Sequence, residues 1–483
     1  MSEPKRIHPI GMLLSIFKII KQTALSYLPL LIIAISSKQW MYILIGAIAI
    51  LVFLLVYTFL SWWRYTYLLE EDQIRIEQGI IVRKKRTISK HRIQSIDLSQ
   101  NLIHRIFGLT KVQIETAGSD HNIDASLHAV TMEEGRYVHD QLKYNKQMKE
   151  QLSDEAEGHN LEMKEQPAHP FKKVTPRALI IAGSTSGSFG IILGLFAIGF
   201  SELETFIPDH FYNQATAWVM AQALQVLIAL AIVVFIFIWV LGIVTTLIQY
   251  WDFTVTRYEK ELYITRGLIE KKQSTIPLKR IQAIGMKESI LRQPLGYASL
   301  YVEIASGEIS QNGETTTLLF PLMKKAKVKD FLQEVLPEYD YTIDQPTSLP
   351  KRSLPYYLIR SILFPLLATI ILAFTLLEWV YIPIIATILA AVFGYWQYKT
   401  VKFQLEKDYL FVQSRLLSRD TVIVKHSRIQ SMQKKQHFLH RKQQLASINI
   451  AILNKFVGRH ITIREMELDE AYQIADWYSY QKK

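Results

Sequence analysis

The chain has 483 residues, no cysteine and a formal net charge of +12, with 49% apolar and 20% charged residues. The missing cysteine excludes disulfide frameworks, thiolate nucleophiles and Cys-ligated zinc. The apolar residues clump into charge-poor runs such as Met41–Trp63 and Trp218–Trp251; a helix crosses a bilayer core with about 20 apolar residues, so this reads as a membrane protein whose basic excess belongs at the cytoplasmic edge and not on nucleic acid.

The opening "MSEPKRIHP" leads into an amphipathic stretch holding Lys18 and Lys21, with no small-residue cleavage site behind it, so no cleavable signal is expected. Six membrane spans are predicted near 22–37, 41–63, 178–200, 218–250, 355–377 and 380–397, arranged as three hairpins. The middle connection, "SELETFIPDHFYNQATA", lacks Lys and Arg and carries Glu202, Glu204 and Asp209. The opposite ends hold Lys5, Arg6, Arg64, Lys172, Lys173, Lys351, Arg352 and Lys399. Basic residues gather on the cytoplasmic side, which places both termini and every large polar segment inside the cell. Trp62–Trp63, Tyr250–Trp251 and Tyr395–Trp396 stand where each hairpin returns, as an interfacial aromatic belt requires.

The division that follows is 1–63 for an N-terminal segment and first hairpin, 64–148 for a first polar domain, 149–170 for a charged linker, and 171–250 for the second hairpin. Residues 251–340 form a second polar domain, 341–396 a linker and third hairpin, and 397–483 a third polar domain. The three polar blocks are repeats. "RIQSI" at Arg92–Ile96 returns as "RIQAI" at Arg280–Ile284 and "RIQSM" at Arg428–Met432, and aligning them registers the downstream sequence without a gap. Val112 and Ile114 then fall on Leu300 and Val302 and on Ile448 and Ile450, the alternation of a strand with one buried face. Upstream, each block reads as two strands about a turn. Gly79 and Gly267 coincide there as residues of positive φ, with Arg415 at the third position. Each block ends in a helical pattern, clearest at Val328, Phe331, Leu332, Val335 and Leu336 before Pro337. The same pattern recurs at Ala471, Ile474, Ala475 and Tyr478, and less cleanly at Tyr137, Val138 and Leu142. The predicted fold is therefore membrane α plus α+β: six transmembrane helices in three hairpins, each followed by a cytoplasmic β-barrel or sandwich plugged by its C-terminal helix.

A hairpin followed by strands, "RIQSIDLSQNLIHRIFGL" and a capping helix resembles the second bacterial pleckstrin-homology-like (PH-like) family over essentially the whole chain. The second copy departs from the pattern with Gln293 and Pro294 in the turn. The third has Gln444 where Gly108 and Gly296 stand, so its turn must differ or be strained. The resemblance implies a PH-like barrel, a companion membrane protein with a single such domain (the YdbS type), and a link to bacteriocin resistance.

As candidate sites, Arg92, Ile93 and Gln94, with Arg280, Ile281, Gln282 and Arg428, Ile429, Gln430, are read as a fold signature, the isoleucine filling the barrel and the glutamine tying a loop. The basic run Arg83, Lys84, Lys85, Arg86, with Lys271 and Lys272, is either a weak anionic-lipid contact or a solvated turn. In "GSTSGSFG", Ile191 stands where a phosphate loop needs Lys, so Gly183 and Gly187 are assigned to close helix packing. His437 and His440 lack further ligands at metal spacing and read as surface residues. The spans hold no buried Asp, Glu, His or Lys, while Arg360, near a cytoplasmic end, can snorkel. Ion-coupled transport normally needs such groups at depth.

The expectation is a non-enzymatic, multi-pass bacterial plasma-membrane protein needing no cofactor or metal and binding no nucleic acid. It serves as an assembly platform with a smaller YdbS-type partner, and with a possible peptide ligand, in resistance to membrane-active peptides. The alternative is an accessory of transport or lipid handling whose hairpins line a path for an amphipathic molecule.

Overall fold

The computed structural model describes residues 4–17, 40–70, 72–116, 125–143, 170–185, 214, 224–305, 316–339, 341, 343–375, 379–453 and 459–479. They fall into two compact units, Met1–His169 with Tyr263–Pro277, and Pro170–Leu262 with Leu278–Lys483.

In the first unit, β1 (Lys5–Arg6), β2 (Thr66–Leu69), β3 (Gln73–Gln78) and β4 (Lys84–Ser89) form a sheet in that order. β5 (Ile93–Gln100), β6 (Leu109–Thr116) and β7 (Ala125–Thr131) form a second layer, closed by helix Met132–Lys143. The layers bury alternate residues towards each other, as half-buried strands do. Ile74, Ile76 and Ile88 meet Leu98, Val112, Ile114 and Leu127, and the helix inserts Val138 and Leu142 between the sheets. Trp62, at the end of helix Trp40–Arg64, donates through Nε1 to the Ile7 carbonyl at 3.1 Å and ties the apolar helix to this domain.

The second repeat supplies β8 (Phe171–Lys173), β9 (Thr254–Arg257), β10 (Glu261–Arg266) and β11 (Lys271–Pro277). It continues with β12 (Ile281–Glu288), β13 (Tyr297–Ile304), β14 (Thr316–Lys324) and helix Val328–Val335. The third supplies β15 (Thr347–Ser348), β16 (Lys402–Leu405), β17 (Tyr409–Arg415) and β18 (Arg419–Lys425). Then come β19 (Ile429–Lys435), β20 (Leu445–Ile452), β21 (Arg459–Glu467) and helix Leu468–Ser479. In the second unit, β19-β20-β21 is a three-stranded sheet, whose Ile448, Ile450 and Ile463 pack against Ala471 and Ile474 of the last helix.

Two turns answer the expectations placed on them. Gly79 and Gly267 both have φ of 107°, where an added Cβ would lie about 2 Å from a backbone carbonyl oxygen. The third repeat turns differently, and Arg415 sits buried at the end of β17. In the other turn Gln444 keeps the left-handed conformation of its glycine counterparts, φ 53° against 64° and 67° at Gly108 and Gly296. The turn is preserved with a strained residue in it.

Among the described residues, Leu224–Tyr250, Lys351–Phe374 and Tyr381–Thr400 are long and apolar enough to cross a membrane, and Ile48–Arg64 is a shorter apolar stretch. Many of their large apolar side chains point outward, Phe364 and Phe374 being 77% and 87% exposed, while Ile238 and Tyr357 are buried. The predicted span 22–37, and the part of 178–200 beyond residue 185, lie outside the described residues. Helices Leu354–Thr375 and Tyr381–Thr400 pack together through Gly394, where a Cβ would meet Ser361 Oγ at 2.8 Å, and through Thr369 and Thr387, whose hydroxyls are 3.3 Å apart.

Candidate functional site

The repeated phrase occupies one geometry three times. Arg92, Arg280 and Arg428 each end a short 3-10 turn, and Ile93, Ile281 and Ile429 each begin a strand. In each, the pairing register slips at the glutamine: between Ile93 and Ser95, between Ile281 and Ala283, and between Ile429 and Ser431. The phrase is thus a β-bulge, which bends a strand and re-aims its side chains. Ile281 and Ile429 are buried and Ile93 packs against the core. Gln282 Nε2 donates to the Arg280 carbonyl at 3.0 Å. A tyrosine from the closing segment holds the bulge in two repeats: Tyr339 Oη donates to the Ile281 carbonyl at 3.0 Å, and Tyr478 Oη to the Gln430 carbonyl at 3.1 Å.

The strand that follows the bulge joins one repeat to the next. In the first unit the sheet runs β7-β6-β5-β11, so β5 of the first repeat pairs with a strand of the second, Lys271 opposite Gln100 and Lys272 opposite Ser99. In the second unit it runs β14-β13-β12-β18-β17-β16-β15, and β12 of the second repeat pairs with a strand of the third. There Arg419 faces Glu288 and Asp420 faces Lys287. These are the equivalent positions of the repeats, so the two seams share one register. Thr275 N also donates to Asp97 Oδ1 at 3.2 Å across the first seam.

The second seam carries a buried polar network. Tyr301 Oη donates to Asp420 Oδ1 at 2.6 Å, and Arg459 Nη2 donates to both Tyr301 Oη and Asp420 Oδ2 at 2.7 Å. Arg459 Nη1 reaches the fully buried Glu303. Arg419 grips the equally buried Glu288 with two nitrogens, Nε at 2.8 Å from Oε1. A planar guanidinium suits this two-pronged pairing, and buried carboxylates need partners of that kind. Burial pushes the Asp420 carboxyl above its usual range, with the Tyr301 hydroxyl and Lys287 pulling it back. Gly285 makes room: a Cβ there would lie 1.9 Å from Tyr301 Cζ. None of Gly285, Glu288, Tyr301, Glu303, Asp420 and Arg459 stood out in the sequence. The available signal was a glycine and two acids inside otherwise apolar strands.

The Bacterial PH domain family matches this chain three times, at residues 18–146, 204–339 and 357–482. The chain belongs to that family. It is also similar to the UPF0699 transmembrane protein YdbT of Bacillus subtilis (strain 168), 33% identical over 494 residues that cover 100% of this chain and 99% of the relative. It is thus a membrane protein of the YdbT family carrying three bacterial PH domains.

The remaining candidate residues sit at the margins of these PH domains. Arg83 precedes β4, and Lys84, Lys85 and Arg86 lie on it, all exposed; Lys85 pairs with Glu77 at 2.9 Å. Lys271 and Lys272 lie in the first seam, in a different sheet from that run. Gly183 is the penultimate residue of helix Pro176–Ser184, where a Cβ would meet Ile243 Cα at 2.8 Å; Gly187 lies outside the described residues. His437 caps helix Phe438–Lys442, accepting from Leu439 N at 3.4 Å, and His440 sits edge-on to Tyr356 with ring centroids 4.7 Å apart. Among the described residues no three His, Asp or Glu side chains gather as a metal site. Arg360 pairs with the buried Glu465 of β21, and so fastens the start of its helix to the third PH domain. An open cavity of about 810 Å³ lies at the end of helix Tyr381–Thr400, lined by Tyr395, Trp396, Lys399, Lys402 and Arg415 among others.

Proposed function

We propose that this protein is a non-catalytic assembly platform of the bacterial plasma membrane, with both termini and its three PH domains in the cytoplasm. It joins a smaller membrane protein carrying a single PH domain, and together they help the cell withstand membrane-active peptides. The observation that carries the reading is the pair of seams in one register: the first and second PH domains each extend a sheet with a strand of the next repeat, the same edge pairing by which strands are added between chains. The test is gentle purification from the native membrane, with identification of what co-purifies, alongside deletion of the chain and measurement of peptide tolerance. Unchanged tolerance, and a chain that emerges alone, would overturn the reading.

The 810 Å³ cavity supports a second reading, an accessory of transport or lipid handling. Its aromatic and basic lining at a helix end suits an amphipathic anion. A bound lipid retained through purification and lost in Lys399→Glu/Lys402→Glu would favour that reading.

A further inference from the structure

The two inner seams define what a complete junction looks like, and the third repeat presents half of one. β12 has a partner on each side, β13 and β18, and all but Lys287 of its residues are buried. β19 holds the equivalent position but, among the described residues, pairs with β20 alone. Only Ile429 on it is buried, and Gln430, Ser431, Gln433, Lys434 and Lys435 are exposed. The closing helix touches β19 at Gln430, whose carbonyl accepts from Tyr478, and at Lys434, which lies over Tyr472; in the second repeat Tyr339 makes the corresponding bond to the Ile281 carbonyl, and β12 is still paired by β18 from Ala283 to Glu288.

We infer that the outer edge of β19 takes an antiparallel strand from a second, different polypeptide, one that carries carboxylates opposite Lys434 and Lys435. This rests on the platform reading above and names the edge and the chemistry of the partner. A strand edge with unpaired amides and carbonyls is a template for pairing, and the shared register states which residues would face each other. A second copy of this chain would offer β4, the counterpart of β11 and β18. In that register Lys84 falls opposite Lys435 and Lys85 opposite Lys434. Like charges directly opposite are destabilising. The inner seam does the reverse, setting Arg419 against Glu288. The lysines therefore turn away copies of this chain and select an acidic strand, the fourth strand of a foreign PH domain.

The test reverses the edge in the full chain. Lys434→Glu/Lys435→Glu turns the like charges into complementary ones, so the variant self-associates head to tail in detergent where the wild type does not, read as mass by light scattering. Adding Lys84→Glu/Lys85→Glu restores the wild-type mass. Since Lys434 also lies 3.5 Å over the Tyr472 ring, Gln433→Glu/Lys435→Glu serves as a second variant with the same expected association. Folded variants of wild-type mass would overturn the edge proposal. Partner recovery separates the two readings. A partner that co-purifies with the wild type and is lost from the reversed edge supports both. A partner retained on the reversed edge sinks the edge and leaves the platform. A wild type that purifies without any partner sinks the platform, whatever the edge does.

Discussion

Gly285→Ala should be among the most damaging single-methyl changes available in this chain. The added carbon would stand 1.9 Å from Tyr301 Cζ, and the ring has little freedom to retreat: it is 6% exposed and its hydroxyl is held by Asp420 and Arg459. Overpacking of this kind costs about 1–3 kcal/mol. Hydrogen bonds to charged groups are worth about 1.5–3 kcal/mol, and moving the ring disrupts them too. Together that is about 4 kcal/mol, or roughly a thousandfold in the folding equilibrium at 1.36 kcal/mol per decade. Tyr301→Phe removes only the hydroxyl contacts and should lose about half as much. Gly285→Ala/Tyr301→Ala should be less damaging than the two single changes added together, because the second removes the obstacle created by the first. Thermal unfolding in detergent, with limited proteolysis between β12 and β18 as a local readout, measures the wild type and the four variants Gly285→Ala, Tyr301→Phe, Tyr301→Ala and Gly285→Ala/Tyr301→Ala. A Gly285→Ala chain that unfolds with the wild type, or a strictly additive double variant, would refute the reasoning.

Gln444→Gly should stabilise the third PH domain by about 0.5–1 kcal/mol, since relief of a left-handed non-glycine residue exceeds the entropy glycine adds; a chemical-denaturation midpoint measures it. Arg459→Met should cost about 3–5 kcal/mol by taking the guanidinium from the buried Glu303 and from Asp420, and Glu303→Gln made in the Arg459→Met chain should recover part of that loss in the same assay. Gly183→Ile should loosen helix Pro176–Ser184 from helix Leu224–Tyr250, read as faster proteolysis of the intact protein in detergent. Glu470→Gln is expected to be stabilising in a pH-dependent way. Burial first, and the neighbouring Glu467 second, push the Glu470 carboxyl upward from 4.5. A raised carboxyl binds its proton more tightly in the folded state, so wild-type stability falls as pH rises from 4.5 towards the folded pKa. The glutamine should therefore show its advantage at neutral pH and lose it at pH values below 4.5, as seen by paired thermal midpoints.

The residues that revealed the repeat also proved to define its geometry. The glutamine of each phrase marks a bulge, and the isoleucine alternation of Ile448 and Ile450 marks the buried face, because both depend on local backbone and on which side meets the core. Gln444 was equally legible: a glycine in two copies signalled a positive φ that the third copy had to strain for or abandon. The seams were not legible. Alternation says that a strand has one buried face but not which strand lies along its edge. Arg419 and Glu288 meet across 131 residues that include the helices Leu354–Thr375 and Tyr381–Thr400. The same distance hid the network around Tyr301, whose members come from β13, β18 and β21 and look ordinary one at a time. The basic run at Arg83–Arg86 and the pair Lys271–Lys272 read alike as charge in the sequence, yet the latter pair lies in a seam.

One consequence of a seam repeated in the same register is modularity. A chain lengthened by duplicating its middle segment with its PH domain would set Lys271 of the new segment against Glu288 of the old one and offer its own Glu288 to Arg419. The neighbouring position would set Lys272 of the new segment against Lys287 of the old one, a like-charge pair, so such a chain could grow by whole cassettes once that one pair is changed to opposite charges.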